Sequence, residues 1–307
     1  MKPYNDAMET IQNSVLKLKE EKNAIILAHN YTLPEIQDIA DFVGDSLGLS
    51  RKASETDADL IVFCGVSFMG ETAKVLNPDK KVLLPIPEAG CAMASMCTGE
   101  QVRALRKKYP DAAFLAYVNT TADVKAEVDM CCTSSNVIDA VKSLKETDIV
   151  FVPDTNLAEY AASLVPEKNI IKFHGYCPAH HGITVWQMED LKTMHPGADV
   201  ISHPESPMDV LNMSDFIGST EKMIGYVRES ANNEFIVGTE IGMYHRLKKL
   251  RPDAEFYFPP SAICQTMKMT DLRTLYKSLS EETGEIILDR DIMDRARRPI
   301  EKMLTIG

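Results

Sequence analysis

The stretch TGEQVRALRKKYPDAAFLAYVN, residues 98–119, reads as an amphipathic helix, a proline break and a buried strand. The same form returns in TVWQMEDLKTMHPGADVISH, residues 184–203. Thr98 to Thr184 is 86 residues, and so is Pro110 to Pro196. Residues 10–30, TIQNSVLKLKEEKNAIILAHN, match at an offset of 88, and residues 270–289, TDLRTLYKSLSEETGEIILD, match again at 86. Internal periodicity of this kind marks stacked or symmetric copies of one supersecondary unit.

Other landmarks keep the same spacing. LNPDKKVLLP, LVPEKNIIKF and LRPDAEFYFP each close a helix and open a strand, with Pro78, Pro166 and Pro252 separated by 88 and 86 residues. The strand-to-helix turns CGVSFMGETAKVL, VPDTNLAEYAASLV and VGTEIGMYHRLKKL correspond as well. Each unit reads strand–helix–strand–helix–strand–helix, a pattern that builds parallel sheets through right-handed crossovers. The expected fold class is α/β: three Rossmann-like domains of roughly 87 residues with small parallel sheets, related by a pseudo-threefold axis around a central metal site. Their expected bounds are 1–96, 97–183 and 184–269, with 270–307 packing back on the first.

The cysteines obey the repeat. Cys91, Cys177 and Cys264 each follow the last strand of a unit, 86 and 87 residues apart. Ligands of parallel α/β sheets gather outside the carboxyl ends of the strands, so three domains about one axis bring these thiols together. A repeated small residue kept for packing is the alternative. All three cysteines stand among Gly, Pro and Ala in loops, which favours ligation. Three thiolates suit zinc, with His180 or His181 as a fourth ligand, or an iron–sulfur cluster with one iron left open. Cys64, Cys97, Cys131 and Cys132 do not recur; Cys64 sits in an apolar strand and reads as core, and redox sensitivity is the alternative for the other three.

Polar residues mark the end of each unit's first strand: His29 and Tyr31, then Tyr117 and Asn119, then His203 and Glu205. Packing alone would keep such positions apolar, so a shared cavity is the better reading. A second polar set follows about seventeen residues later, with Ser46, Ser134, and Ser219 beside Thr220. Each precedes a helix and reads singly as an N-cap; three together beside the cysteines suit a multiply anionic substrate. GVSFMGET, residues 65–72, has the spacing of a phosphate loop but carries Glu71 where lysine is needed. Trp186 and the Met-rich stretches read as core filler on helices, and His195 and His245 as structural.

Composition narrows the partners. The chain has 307 residues, 45% apolar and 25% charged, with a net charge of −12, which argues against a general nucleic-acid binder. No apolar run reaches bilayer length, MKPYNDAMETIQ has no apolar leader core, and seven cysteines cannot all pair. The expectation is a soluble cytoplasmic protein with no membrane partner.

The set AHNY, GDSLGLS, YVNTTADVKAEVDMCCTSSN, GYCPAHH, SHPES, IGST and CQTMKM resembles the quinolinate synthase family over residues 20–300. That resemblance implies three α/β domains around an oxygen-sensitive 4Fe–4S cluster held by Cys91, Cys177 and Cys264. It implies condensation of iminoaspartate with dihydroxyacetone phosphate to quinolinate, the pyridine precursor of NAD, with release of phosphate and water. It further implies His29, Tyr31, Tyr117, His203 and Glu205 as catalytic residues. Ser46, Asn119, Ser134, His180, Ser219 and Thr220 join His29, Tyr117, His203 and Glu205 as substrate-binding residues. Contact with an enzyme that supplies iminoaspartate is expected to be transient. Competing readings are another non-redox iron–sulfur dehydratase and a zinc-stabilised protein that binds an anionic metabolite.

Overall fold

The apolar runs of the repeat all form strands, and every strand pairs in parallel with its neighbours. The computed structural model describes residues 2–306, so the outermost residues of the expected first unit and C-terminal segment, 1 and 307, lie outside it. The first sheet holds β1 (Ala24–His29), β2 (Phe42–Gly44), β3 (Leu60–Cys64) and β4 (Lys81–Leu83) in the order β2–β1–β3–β4. The second holds β5 (Ala113–Tyr117), β6 (Met130–Cys132), β7 (Asp148–Val152) and β8 (Asn169–Lys172) in the order β6–β5–β7–β8. The third holds β9 (Asp199–Ser202), β10 (Phe216–Ile217), β11 (Glu234–Gly238) and β12 (Glu255–Tyr257) in the order β10–β9–β11–β12.

Each sheet therefore carries one strand more than the repeat pattern predicts. The extra strands β2, β6 and β10 span only two or three residues, too short for any periodicity to register. What places them is a polar residue. Asp41, Asp129 and Asp215 each accept the backbone N–H of Ile26, Phe114 and Val200 at 2.8 Å, pinning the short edge strand beside the unit's first strand. The same bond in three units expresses the repeat in hydrogen bonding.

The core is built from the buried central strands, such as Leu60–Cys64 and Ala113–Tyr117, packed under helices. Cys64, Cys97, Cys131 and Cys132 are all buried there, with Cys131 and Cys132 on β6. The helix Leu272–Glu281 packs on the helix Lys2–Glu21, sharing a cluster in which Leu275 and Leu279 meet Val15. Beyond it the expected strand copy makes only a single antiparallel bridge, Leu83 to Glu285. Gly284 enables that approach: at φ +82°, a Cβ there would lie 2.1 Å from the Leu84 carbonyl oxygen. The last helix, Arg290–Leu304, continues onto β6 and the helices Ala122–Lys125 and Ser67–Leu76. Trp186 corrects the reading as core filler. It stands 77% exposed, as does Met194 at 63%, because the helix Val185–Met194 buries only Met188.

Candidate active site

One backbone hydrogen bond, made three times, sets where the cysteines stand. In each unit a residue at or just before the start of the helix that follows β3, β7 or β11 donates its N–H to the carbonyl two residues before the cysteine. These bonds are Ser67 to Ala89 at 2.8 Å, Thr155 to Gly175 at 2.8 Å and Ile241 to Ala262 at 2.9 Å. Cys91, Cys177 and Cys264 thereby hang from equivalent points of three sheets and line one cavity of about 290 Å³. All three are free and half-buried. Burial pushes the Cys91 thiol up to about 12, with neighbouring Cys264 adding to the shift, and raises the Cys177 thiol well above its usual value. A soft metal or metal–sulfur group binding here would displace those thiol protons. Convergent free thiols in a cavity wall fit such a group.

His29, Tyr31, Ser46, Tyr117, Asn119, Ser134, His180, His203, Glu205 and Thr220 line the same cavity. Parallel register explains the first-strand residues: His29 lies opposite Gly44 and Tyr117 opposite Cys132, so the strand ends are level with the edge-strand ends that lead to Ser46 and Ser134. Ser219 is the exception. It is fully buried behind the wall, where it caps the helix Thr220–Glu229 and accepts a 2.7 Å bond from Ser135. Ser46 and Ser134 are not N-caps as their spacing suggested. Asp45 caps the helix Ser46–Glu55, and the Ser134 hydroxyl meets His203 Nε2 at 3.0 Å, three residues before the helix Val137–Ser143.

Glu205 is the electrostatic centre. It is 3% exposed, and its Oε2 lies 3.1 Å from Nδ1 of both His180 and His203, whose rings stack at 4.7 Å. Its Oε1 is buried with no hydrogen-bond partner. Burial alone would raise Glu205, but the flanking His180 and His203 imidazoles outweigh it and hold the carboxyl below its usual range. Burial lowers His180 to about 4 and, with His203 beside it, His29 to about 3, so both rings are neutral at pH 7.

Neutral rings assign the protons. His29 Nδ1 accepts the Tyr31 N–H at 3.2 Å, leaving its proton on Nε2. Thr239 Oγ1 lies 2.7 Å from the Tyr31 phenol and 2.8 Å from His180 Nε2. One consistent direction runs through these contacts: Tyr31 donates to Thr239, Thr239 donates to His180 Nε2, and the His180 Nδ1–H faces both Cys177 Sγ at 3.2 Å and Glu205 Oε2 at 3.1 Å. Burial also pushes the Tyr31 and Tyr117 phenols well up, so each stays a proton donor. Cys177, His180 and Glu205 additionally offer ligand atoms that all lie within 4.8 Å of one another. His181 is exposed; its ring lies tilted against Tyr176 at 4.5 Å and meets Asn156 at 3.1 Å.

A family model described as "NadA: Quinolinate synthetase A protein" matches residues 13–305. The chain belongs to the quinolinate synthase family. It is 51% identical to the quinolinate synthase of Aquifex aeolicus (strain VF5), over 98% of this chain and 96% of that one. It is 47% identical to that of Alkaliphilus metalliredigens (strain QYMF), over 96% and 97%. It is 46% identical to that of Caldicellulosiruptor bescii, over 98% and 99%. The resemblance carried by the motifs therefore holds along the chain, and with it an enzyme of NAD biosynthesis. Among the described residues no helix is long and apolar enough to cross a membrane.

Sequence reasoning passed over Thr239, Glu240 and Asp45. Glu240 and Asp45 line the cavity, and Thr239 bonds to Tyr31 and His180 in its wall. The available signal was in VGTEI, where polar side chains follow directly on a buried strand, the feature that marked His29 and Tyr117.

The depressed histidines set a pH dependence for this quinolinate synthase relative. Unfolding restores imidazoles that protonate near 6.5, whereas the folded chain takes up those protons only near 3 and 4. The unfolded state thus binds more protons as pH falls below about 6.5, and stability is lost in that window. Urea midpoints should fall between pH 7 and pH 4.5, and His29→Asn should flatten the fall. An equally steep loss in the variant would mean that His29 is not its source.

Proposed function

We propose that the chain condenses iminoaspartate with dihydroxyacetone phosphate to quinolinate, releasing phosphate and water, in the cytoplasm. The observation that carries the proposal is Glu205, oriented through one oxygen by two stacked histidines, with its other oxygen left without a partner. Buried polar atoms are nearly always paired, so an orphaned carboxylate oxygen in a cavity wall is suited to take a proton from a bound intermediate. Cys91, Cys177 and Cys264 would hold one 4Fe–4S cluster, which supplies an open iron as a Lewis acid toward a substrate oxygen. His29, with its proton on Nε2, would donate to the triose oxygen as a neutral electrophile during isomerisation. Tyr31 would receive or return a proton through Thr239 and His180. Tyr117 and Asn119 would orient the condensing intermediate; the unpartnered Asn119 Oδ1 suits an imine or amine N–H. Ser46, Ser134 and Thr220 would hold phosphate and carboxylate, with Ser219 supporting the wall. The units 1–96, 97–183 and 184–269 would act as three domains, each contributing one cysteine and one strand-end pair. Iminoaspartate hydrolyses in water, which favours transient contact with the enzyme that makes it.

A second reading rests on the Cys177, His180 and Glu205 triplet, which suits a single ion such as zinc. One anaerobic experiment separates the two: quinolinate formation followed on protein whose iron, sulfide and zinc are quantified. Quinolinate with about four irons per chain, the content of one 4Fe–4S cluster, is expected. Zinc in place of iron would overturn the cluster.

A further inference from the structure

The turn after the central strand of each unit brings corresponding residues to the cysteine loops. Val66, Asp154 and Glu240 occupy one repeat position, each directly before the residue whose N–H anchors that loop. In the first unit the position is apolar. In the second, Asp154 is buried, its Oδ1 accepts the Leu157 N–H at 2.7 Å and its Oδ2 makes no hydrogen bond. In the third, the side chain reaches the cysteine. Glu240 is fully buried, and its Oε1 accepts the Cys264 N–H at 3.1 Å.

Glu240 Oε2 is occupied too. It accepts the Gly242 N–H at 2.6 Å and the Lys268 ammonium at 2.9 Å. Lys268 in turn donates to the backbone carbonyl of Tyr31. Gly242 is required for this closeness, because a Cβ there would lie 2.7 Å from both Lys268 Nζ and Tyr31 Cα. With three hydrogen bonds spread over its two oxygens, Glu240 is held in place in the cavity wall. It is a positioning residue.

We infer that the Glu240–Lys268 pair mechanically couples the Cys264 loop to Tyr31. An ion pair between buried Glu240 and half-buried Lys268 ties the amide of one cysteine in the third unit to the carbonyl of a cavity residue in the first. The inference rests on the reading of Cys264 as a cluster ligand and of Tyr31 as a proton donor. Partners that orient metal ligands typically govern affinity or activity by 10–100-fold, so both cluster retention and turnover should respond to this pair.

The test uses anaerobically prepared holoenzyme. Glu240→Gln keeps the shape but loses the ion pair, and should lose iron to a chelator about tenfold faster than wild type. Its kcat should fall about tenfold with KM changed by less than about twofold, since no substrate contact is removed. Because Glu240→Gln leaves Lys268 unpaired, the double variant Glu240→Gln with Lys268→Met serves as its neutral counterpart. It should show the same lability and the same kcat. Wild-type chelation and kcat in the double variant would overturn the coupling. So would its failure to fold, which would make the pair a requirement of the fold instead of the cysteine. Cys264→Ala separates the two levels: if it retains full iron, the ligand reading itself fails; if it loses iron while Glu240→Gln behaves as wild type, only the coupling fails.

Discussion

Glu205→Gln is expected to lower kcat by about 10²–10⁴-fold while the protein keeps its metal content and fold, the range typical of a lost general acid or base. The substitution preserves volume at a site only 3% exposed, so packing is kept. What changes is chemical. A carboxamide does not take up a proton, and an NH₂ group in place of Oε2 would stand 3.1 Å from the Nδ1 atoms of both His180 and His203, where the His180 Nδ1–H needs an acceptor. A ring turned away from that contact would break the directed path from Tyr31 through Thr239 to His180. Stability should hold, because a neutral amide carries a smaller desolvation cost than a buried carboxylate. Iron content, thermal unfolding and steady-state rate measured on one preparation decide the matter. Full kcat in the variant would remove Glu205 from proton transfer and leave it a structural brace.

The architecture was legible in the sequence because its signal is redundant. Helix–proline–strand appears near residues 98, 184 and 270, and offsets of 86 to 88 residues align prolines, turns and cysteines independently. The residues at the ends of β1, β5 and β9 were legible for a related reason: His29, Tyr117 and His203 break an apolar strand at its carboxyl end, where parallel sheets present ligands. Other features escaped because their causes are not periodic. β2, β6 and β10 are held by Asp41, Asp129 and Asp215, which read in the chain as ordinary loop acids. The choice between His180 and His181 depends on a four-residue helix, Pro178–His181, that turns one ring toward Glu205 and the other toward Tyr176. Ser219 shares its repeat position with cavity residues, yet its hydroxyl serves the helix Thr220–Glu229 and Ser135. Repeat position predicted where a side chain begins; only the packed neighbours decide where it points.

Replacing Cys91, Cys177 or Cys264 singly by alanine should abolish quinolinate formation and remove iron and sulfide together. The three thiols come from three different sheets, each hung from its own backbone bond. No described cysteine other than these lines the cavity to take over a lost position. With one thiol removed, only two of the three proposed cysteine ligands would remain to hold a cluster, which would then lose an anchoring bond. Cys64, Cys97, Cys131 and Cys132 provide the internal contrast. They are 0–2% exposed and stand in the core, away from the cavity wall that Cys91, Cys177 and Cys264 line. Cys64→Ala or Cys131→Ala should cost some stability, about 1 kcal/mol for a small buried truncation, and retain iron. The discriminating quantity is therefore iron per folded chain across the seven single variants. Loss confined to three of them establishes the thiolate triad. Iron retained in any one of those three would reduce it to a two-cysteine site and move weight to the Cys177, His180 and Glu205 triplet as the metal-binding set.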